Sequence, residues 1–438
     1  MRSADIRTAI PPDIGPGLDR VVRTAASILS GFGLFIIIFT LTPFLGDLDP
    51  DVVVVDTANV VNQVGYLGLG LVFLFAILVT VERGKLSRLV SPSWLIVFAL
   101  AYVSCLQSWD PQSAARGLTL SLVAMLIVIG LIAIPRSERD FVNAGATAVL
   151  ALVLIDYAAL VVLPAKAIHQ STGAEAWHAG FWRGHLIHKN VTAPIFSVIA
   201  MFGIYAFRCG AMLRGAAITL LAFIFVAHTG SKTTMGFLPV AIMLVLAGRA
   251  IGSSLFTIIS HAMFTVLVGC LTIGTIFSPT FLHITSAILE DYTFTGRDAI
   301  WRFGAAAIAD HPWFGHGFAG FWLSPVIMGM EANFEENWDV RGIVSGHNTF
   351  LDAIITFGLI GGPIIIAILF VKPLFDYVKA TRYPANRAFA DFCMMVIIFM
   401  TYNGMLESFI FNRADPQWLL TALAIFGLGM ARHADFRR

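Results

Sequence analysis

Residues 349–371 read TFLDAIITFGLIGGPIIIAILFV, and Asp352 is the only charged residue among them. A helix needs about 20 mainly apolar residues to cross roughly 30 Å of membrane hydrocarbon. Because backbone N–H and C=O groups find no water in lipid, such a segment is predicted to be α-helical. The stretch therefore predicts a membrane-spanning helix.

Stretches of the same kind recur along the chain. Of the 438 residues, 58% are hydrophobic and only 13% are charged. A soluble protein of this size cannot hide that much apolar surface behind a polar shell. We therefore expect an all-α polytopic membrane protein, a single integral domain over residues 1–438. The predicted spans, about twelve, are 28–45, 64–81, 93–106, 117–134, 141–163, 190–207, 214–228, 233–248, 255–277, 349–371, 389–406 and 417–431.

The distribution of basic residues predicts the orientation of these spans. With the N-terminus inside, most of the 28 Lys and Arg residues fall in cytoplasmic segments, as do Lys372, Lys379 and Arg382. Basic residues stay on the cytoplasmic side during insertion, so we expect both termini in the cytoplasm of a bacterial inner-membrane protein. The first span is expected to be retained rather than cleaved as a signal peptide. The basic residues on the outer, periplasmic side are Arg116, Lys166, Arg183, Lys189, Lys232, Arg297, Arg302, Arg341 and Arg413.

Composition also bears on partners and cofactors. The net charge of +1 gives no indication of nucleic-acid binding. Neither a disulfide framework nor a metal cluster is indicated by the scattered cysteines, which are Cys105, Cys209, Cys270 and Cys393. Three histidines of one outer loop could bind a metal in principle, but their spacing matches no closed zinc site: His178, His185 and His188. We expect no metal and no cofactor.

The connection at 278–348 is the longest outer segment and joins the ninth and tenth spans. It mixes aromatic residues, glycines and charges, and it is too apolar for a solvated linker. We expect it to form short helices on the membrane surface that roof a cavity between the spans.

Within that connection, Arg297 lies in the sequence TGRDAIW at 295–301. Thr295 and Asp298 have the spacing of a capping box, which places Arg297 in the first turn of an interfacial helix. Free N–H groups at a helix N-terminus favour an anion, and a guanidinium suits a phosphate or pyrophosphate. The alternative is an arginine paired with Asp298 or with a lipid headgroup.

His347 and Asn348 lie where the chain enters the tenth span, in the sequence SGHNT at 345–349. The positive end of the helix dipole favours a neutral imidazole there, which could accept a proton from an attacking sugar hydroxyl. Asn348 could cap the helix or hold the sugar. A lone histidine at a helix entrance is also often structural.

Two more membrane-entry points carry cations. Ser231 in TGSKTT (229–234) could cap the eighth span and place Lys232 in its first turn, although a snorkelling lysine is the alternative. Above the sixth span, GFWRGHLIHKN (180–190) brings together Arg183, Lys189 and Asn190. Four separate entry points thus present cations or a histidine toward one side, which suits an anionic, lipid-linked substrate from the outer leaflet.

Five motifs in order carry a family resemblance: GFWRGHLIHKN at 180–190, TGSKTT at 229–234, TGRDAIW at 295–301, HPWFGHGF at 311–318 and SGHNTFLDAIITFGLIGG at 345–362. They resemble the O-antigen ligase-like superfamily, which includes O-antigen ligases and Wzy-type polysaccharide polymerases, and most closely the ExoQ kind of exopolysaccharide polymerase. The resemblance covers 180–362 in motif detail and the whole chain in helix number. Lys232 departs from the family, which often has an arginine there; lysine keeps the charge but loses the bidentate fork.

The resemblance implies a GT-C-like fold and an inverting, metal-independent glycosyltransferase. Such an enzyme would polymerise undecaprenyl-pyrophosphate-linked repeat units into an exopolysaccharide or similar surface glycan, with its active site facing the periplasm. His347 would be the general base, and the pyrophosphate would be bound by Arg297, Lys232, Arg183 and Lys189. Asn190 and Asn348 would position the sugar or the acceptor. Membrane lipid, a flippase and a chain-length regulator are the expected partners.

Two other functions fit part of the sequence. An O-antigen ligase, which moves finished glycan onto a lipid A core, would use the same catalytic residues. A secondary transporter also commonly has twelve spans with both termini inside. Transporters tend to carry ionisable residues near the midplane and repeats that relate their halves, whereas here the cations gather at one surface.

Overall fold

The computed structural model describes residues 16–45, 60–171, 176–331 and 339–433. Within these ranges the chain forms helices joined by turns, apart from one isolated antiparallel bridge between Ile168 and Trp182. The all-α prediction is confirmed. The α-helices are α1 Pro16–Phe39, α2 Val60–Thr80, α3 Arg83–Leu89, α4 Ser93–Cys105, α5 Pro111–Ala133, α6 Glu138–Val162, α7 Pro164–Ala167, α8 Lys189–Arg208, α9 Met212–His228, α10 Lys232–Ile251, α11 Ser254–Leu271, α12 Pro279–Ile288, α13 Arg297–Asp310, α14 Pro325–Met328, α15 Thr349–Ile366, α16 Lys372–Ala380, α17 Arg387–Asn403 and α18 Pro416–Ala431.

Nine helices in the described ranges are long and apolar enough to cross a membrane. The pair α3 and α4, bent by 62°, makes a tenth if it is one span. Helices α9 and α18 are apolar but shorter, with 17 and 16 residues. Each predicted apolar run coincides with one of these elements, and the chain is a multi-pass membrane protein. The terminal residues 1–15 and 434–438, whose cytoplasmic placement was predicted, lie outside the described residues.

Two predicted boundaries were wrong and a third predicted span is bent, each for a local reason. The first helix starts at Pro16 rather than 28 and ends at Phe39, because its polar first turns continue the helix and Arg23 pairs with Asp140 at 2.9 Å. The ninth span ends at Leu271, since Thr272 leaves helical geometry. The tenth span bends at Gly358, whose φ of +69° and close approach to the Trp313 carbonyl leave no room for a side chain.

The helices divide into a buried core and a lipid-facing shell. Every residue of α18 from Pro416 to Ala431 is buried, and α17 is buried from Phe389 to Asn403. Helix α2, in contrast, exposes an apolar stripe at helical spacing, namely Val60, Val64, Leu67, Leu71, Phe75 and Leu78. A helix that is apolar all round is buried in the bundle or faces lipid, so α17 and α18 form the centre of the bundle and α2 lies at its edge.

Small residues let α8 and α9 pack as a tight hairpin. A Cβ added to Gly203 would lie 2.4 Å from the Thr219 hydroxyl, and one added to Gly215 would lie 2.4 Å from the Phe207 nitrogen. This close contact fixes the direction of α8, whose first residues reach the cavity described below. The connection 278–348 contains α12, α13 and α14, while its residues 332–338 lie outside the described ranges.

Candidate functional site

One large cavity of about 2270 Å³ opens at the end of the bundle where α8, α10 and α13 begin. Five of the predicted site residues line it: Lys189, Asn190, Lys232, Arg297 and His347. They come from four segments that are far apart in sequence. The cavity also has an apolar wall from α10, α11 and the end of α12, which includes Phe237, Val268, Leu271, Ile288 and Leu289.

Among the described residues, three of the four Lys and Arg residues that line the cavity share one structural position, and the fourth is Arg302. Lys189, Lys232 and Arg297 are the first residues of α8, α10 and α13. The first N–H groups of a helix have no partner within it, and the helix dipole is positive at that end. Each positive side chain therefore extends an end that already favours an anion. Three such ends lie around one cavity, which also has acidic lining residues, namely Glu290, Asp291, Asp298, Glu331, Glu407 and Asp415.

His347 and Arg297 are joined by a residue that the sequence did not single out, Glu407. His347 Nδ1 lies 3.2 Å from Glu407 Oε2, and Arg297 Nη2 lies 2.5 Å from Glu407 Oε1. The side chain of His347 is 31% exposed, that of Arg297 is 16% exposed and that of Glu407 is 19% exposed. All three are therefore accessible from the cavity that they line. A carboxylate thus orients both functional side chains at once.

The electrostatics of this triad hold Glu407 ionised. Burial alone would raise the pKa of Glu407, but the positive charge of Arg297 and the hydrogen bond from His347 bring that pKa below its usual range. A carboxylate can only accept, so Nδ1 of His347 carries the hydrogen and Nε2 carries the lone pair. In this tautomer the imidazole can take a proton from a substrate hydroxyl.

A buried network fastens the histidine segment to the Glu407 segment. Asp352 accepts from the Gly346 N–H at 2.9 Å and from the Trp322 indole at 2.8 Å, and it also accepts from the Ser408 hydroxyl. The Asn348 N–H in turn donates to Ser408 Oγ at 2.9 Å. Residues on both sides of His347 and next to Glu407 are therefore tied together, which fixes the distance between the imidazole and the carboxylate.

Two predicted site residues lie outside the cavity lining. Arg183 is fully buried and donates to the backbone carbonyls of Ala165 and Ile187, which accounts for it as a structural residue. Asn348 is 1% exposed and is the N-cap of α15. Its side-chain oxygen accepts from the N–H groups of Phe350 and Leu351. Its amide also donates to the Met405 carbonyl. The positions of Arg183 and Asn348 do not fit a contact with substrate, and the capping alternative holds for Asn348.

The capping-box prediction for Thr295 and Asp298 was wrong. Thr295 has a φ of +62°, and Gly296, at the N-cap position of α13, makes no side-chain cap. Instead Asp291 accepts from the N–H and hydroxyl groups of Thr293 and Thr295, which closes the loop before the helix. Arg297 still begins the helix, because the loop ends in a left-handed glycine.

At the other two entry points the local details also differ from the expectation. Ser231 occupies the N-cap position of α10, but its hydroxyl bonds the Thr234 hydroxyl rather than a backbone N–H. Lys232 is exposed toward the cavity. The Lys189 ammonium lies 4.2 Å from the centre of the Phe181 ring, in a cation–π contact.

The histidines of the 164–189 loop take different positions. His185 is buried against Asp156 at 2.8 Å and the Ile38 carbonyl at 3.0 Å, whereas His178 and His188 line the cavity. Within the described residues, no group of three His, Cys, Asp or Glu side chains is arranged to hold a metal ion. Independence from a metal stays a prediction.

Fold and site together define a polytopic membrane protein with a polar, anion-binding cavity beside an apolar wall. Residues 217–366 match the model of the O-antigen ligase family, Wzy_C. The match covers 150 of the 438 residues, and it supports the resemblance to the O-antigen ligase-like superfamily that the motifs predicted. The match includes Lys232, Arg297 and His347, while Lys189 and Glu407 lie outside it. No curated protein matched the chain.

Glu407 was missed because nothing near it in sequence marks it. It follows the predicted eleventh span in NGMLESF (403–409), at the start of a connection that also contains Asp415. The signal for Glu407 in the sequence is an ionisable residue at a membrane entry point on the same side as His347.

Proposed function

We propose that the protein is an inverting glycosyltransferase that polymerises polyprenyl-pyrophosphate-linked repeat units into a surface polysaccharide. The observation that carries the proposal is the triad of His347, Glu407 and Arg297 in one cavity with Lys232 and Lys189. A base and an anion-binding surface are the two elements that transfer from a lipid pyrophosphate requires.

The reaction follows from that arrangement. His347 Nε2 accepts the proton of the acceptor hydroxyl while its oxygen attacks the anomeric carbon of the donor sugar. The bond from that carbon to the phosphate oxygen breaks, and the polyprenyl pyrophosphate leaves with the bonding electrons. Attack opposite the leaving group inverts the anomeric configuration.

The helix N-termini stabilise the leaving group. Lys232, Lys189 and the Arg297 N–H groups not bonded to Glu407 surround the space in which the pyrophosphate would lie. Removing one preorganised electrostatic contact of this kind typically costs about a hundredfold or more in rate. Because the pyrophosphate is already a good leaving group, neither a metal nor a nucleotide is required.

The second candidate is an O-antigen ligase, which the name of the matching family favours. Both enzymes share the donor and differ in the acceptor, a growing glycan or a lipid A core. Placement in the bacterial inner membrane, with the cavity in the periplasm, follows from the predicted charge bias. A flippase that delivers the donor and a chain-length regulator are the partners that such a polymerase needs.

The test is an assay in lipid nanodiscs with purified protein and repeat-unit donor extracted from the source cells. A ladder of glycan products supports the polymerase, whereas transfer only to added core lipid identifies a ligase. We expect His347→Ala and Arg297→Ala each to abolish transfer, because general base catalysis alone contributes about 10²–10⁴-fold. The exposed His283, which does not line the cavity, provides the matched control His283→Ala.

Two outcomes would contradict the proposal. Near wild-type transfer by the His347→Ala protein would remove the base assignment. Absence of any transfer by a folded wild-type protein, with donor and both acceptors present, would remove the glycosyltransferase itself.

A further inference from the structure

A pair of buried amides lies in the cavity wall next to the triad. Asn403 is the last residue of α17 and Gln417 is the second residue of α18. Their side chains are 1% and 4% exposed, and both residues line the cavity. Asn403 Nδ2 donates to Gln417 Oε1 at 3.1 Å. The two helices therefore meet at the cavity through one amide–amide hydrogen bond.

This hydrogen bond leaves half of each amide unused. Asn403 Oδ1 and Gln417 Nε2 bond no other group within the described ranges of the chain. If the oxygen and nitrogen positions of both side-chain amides were exchanged, the pair would still present one unused donor and one unused acceptor. Both residues line the cavity, so the unused donor and the unused acceptor can bind a polar group there.

The amide pair is fixed to the triad through the backbone. The Asn403 carbonyl accepts from the N–H of Glu407 at 2.9 Å, so the pair and the carboxylate belong to one turn after α17. On the other side, Asp415 accepts from the Gln417 N–H at 2.7 Å and from the Asn412 amide at 3.3 Å. A continuous polar surface thus extends away from Glu407 along the cavity.

The charge of this surface differs from that of the helix N-termini. The cavity-lining residues between 403 and 417 are Asn403, Leu406, Glu407, Ser408, Asn412, Asp415 and Gln417, with no lysine or arginine among them. The cations that line the cavity lie instead on α8, α10 and α13. The cavity lining from 403 to 417 carries two carboxylates and three side-chain amides without a cation, which suits a neutral sugar better than an anionic donor.

We propose that Asn403 and Gln417 form the subsite for the acceptor sugar, where one donor and one acceptor bind two neighbouring hydroxyl groups. The inference rests on the proposed function. It places the acceptor along the cavity wall formed by residues 403–417 and the donor pyrophosphate at the helix N-termini that carry Lys189, Lys232 and Arg297. The acceptor hydroxyl and the anomeric carbon then approach the imidazole from two different walls.

The test separates acceptor binding from donor binding. The acceptor probe is a one-repeat oligosaccharide, released from the source cell's own surface polysaccharide and labelled at its reducing end. In the nanodisc assay we expect the double variant Asn403→Leu/Gln417→Met to raise the acceptor KM about tenfold or more, with the donor KM changed less than twofold. When both hydrogen-bonding partners are replaced by apolar groups of similar shape, no polar group is left unsatisfied. The change can then be nearly neutral for stability.

A second variant keeps the inference testable if the double variant does not fold. Gln417→Glu retains the acceptor oxygen for Asn403 and replaces only the unused amino group by an oxygen. It should raise the acceptor KM and leave the donor KM unchanged. A deoxy acceptor that lacks one of the two bound hydroxyls should lose about tenfold with the wild type and little further with Gln417→Glu.

The failures are distinguishable. If the wild type transfers and either folded variant keeps the wild-type acceptor KM, the subsite is wrong while the proposed function stands. If the wild type shows no transfer, the proposed function fails, and the subsite assignment fails with it.

Discussion

Helix α17 has a paired carboxylate near each end, and the two are held in similar ways. In the first turns of α17, Asp391 accepts from Arg208 at 2.9 Å, from Arg249 at 2.7 Å and from the Tyr377 hydroxyl at 3.0 Å. Beyond its end, Glu407 is held by Arg297 and His347. Both are acidic groups between two basic side chains, but their surroundings differ.

Asp391 is 0% exposed and does not line the large cavity, whereas Glu407 is 19% exposed and does. Helices α8 and α10 connect the two places, because each begins with a lysine at the cavity and carries an arginine to Asp391 near its other end. The carboxylate of Asp391 is therefore enclosed within the bundle, whereas that of Glu407 borders the open cavity of the candidate site.

The largest expected effect concerns the cavity end. Glu407→Gln should reduce transfer about 10²–10³-fold, because the amide N–H can donate to His347 Nδ1 and stabilise the wrong tautomer. Measurement of initial transfer rates and of the thermal midpoint of the same preparations tests this. If the fall in rate were explained by loss of folded protein, Glu407 would have the same structural role as Asp391. That result would contradict the distinction between the two ends of α17.

The opposite pattern is expected at Asp391. Asp391→Ala leaves two arginines without their buried partner, and breaking such a pair destabilises a protein by about 3–5 kcal/mol. We expect a lower thermal midpoint and less folded protein, with the rate per folded molecule within about twofold of wild type. A loss of specific activity with unchanged stability would show that this end also takes part in transfer.

Lys232 tests how much of the cation effect is charge and how much is geometry. Lys232→Arg should keep most of the transfer rate, whereas Lys232→Ala should lower it about tenfold to a hundredfold, since a preorganised cation is removed from the leaving group. Rates at saturating acceptor measure this. Equal activity of the two variants would indicate that the lysine contacts lipid rather than substrate.

The smallest effect is expected at Asp415, which lies on the same cavity wall as Glu407. Burial raises the pKa of Asp415 from 3.8 to about 6. The folded protein therefore holds this proton more tightly than the unfolded chain, and the contribution of Asp415 to stability should fall as the pH rises through that range. Asp415→Asn keeps the N-cap of α18 and does not titrate, so its thermal midpoint relative to wild type should rise from pH 4 to pH 7. A pH-independent difference would contradict this.

The sequence predicts the helices well because length and hydropathy are local properties. Each run of apolar residues had to become a helix in lipid, whatever its neighbours did. The positions of Lys232 and Arg297 at helix starts were predictable for the same reason. Asn348 could not be settled, since capping and sugar binding require the same residue type and only the backbone geometry distinguishes them.

The site itself depends on contacts that no local pattern contains. Arg297 and Glu407 are 110 residues apart, and His347 and Glu407 are 60 apart. Arg183 was assigned to the cavity because it is near Lys189 in sequence, yet the turn between them directs its guanidinium toward backbone carbonyls. Asn403 and Gln417 likewise come together only because α17 and α18 pack against each other.

His347 has a φ of +46°, in the left-handed region that disfavours every residue except glycine. A backbone conformation of this kind costs on the order of 1–3 kcal/mol and persists only where its surroundings enforce it. A His347→Gly chain would lose the hydrogen bond to Glu407 and at the same time relieve this backbone cost, two effects of opposite sign on stability. We therefore expect its thermal midpoint to change little while transfer is lost.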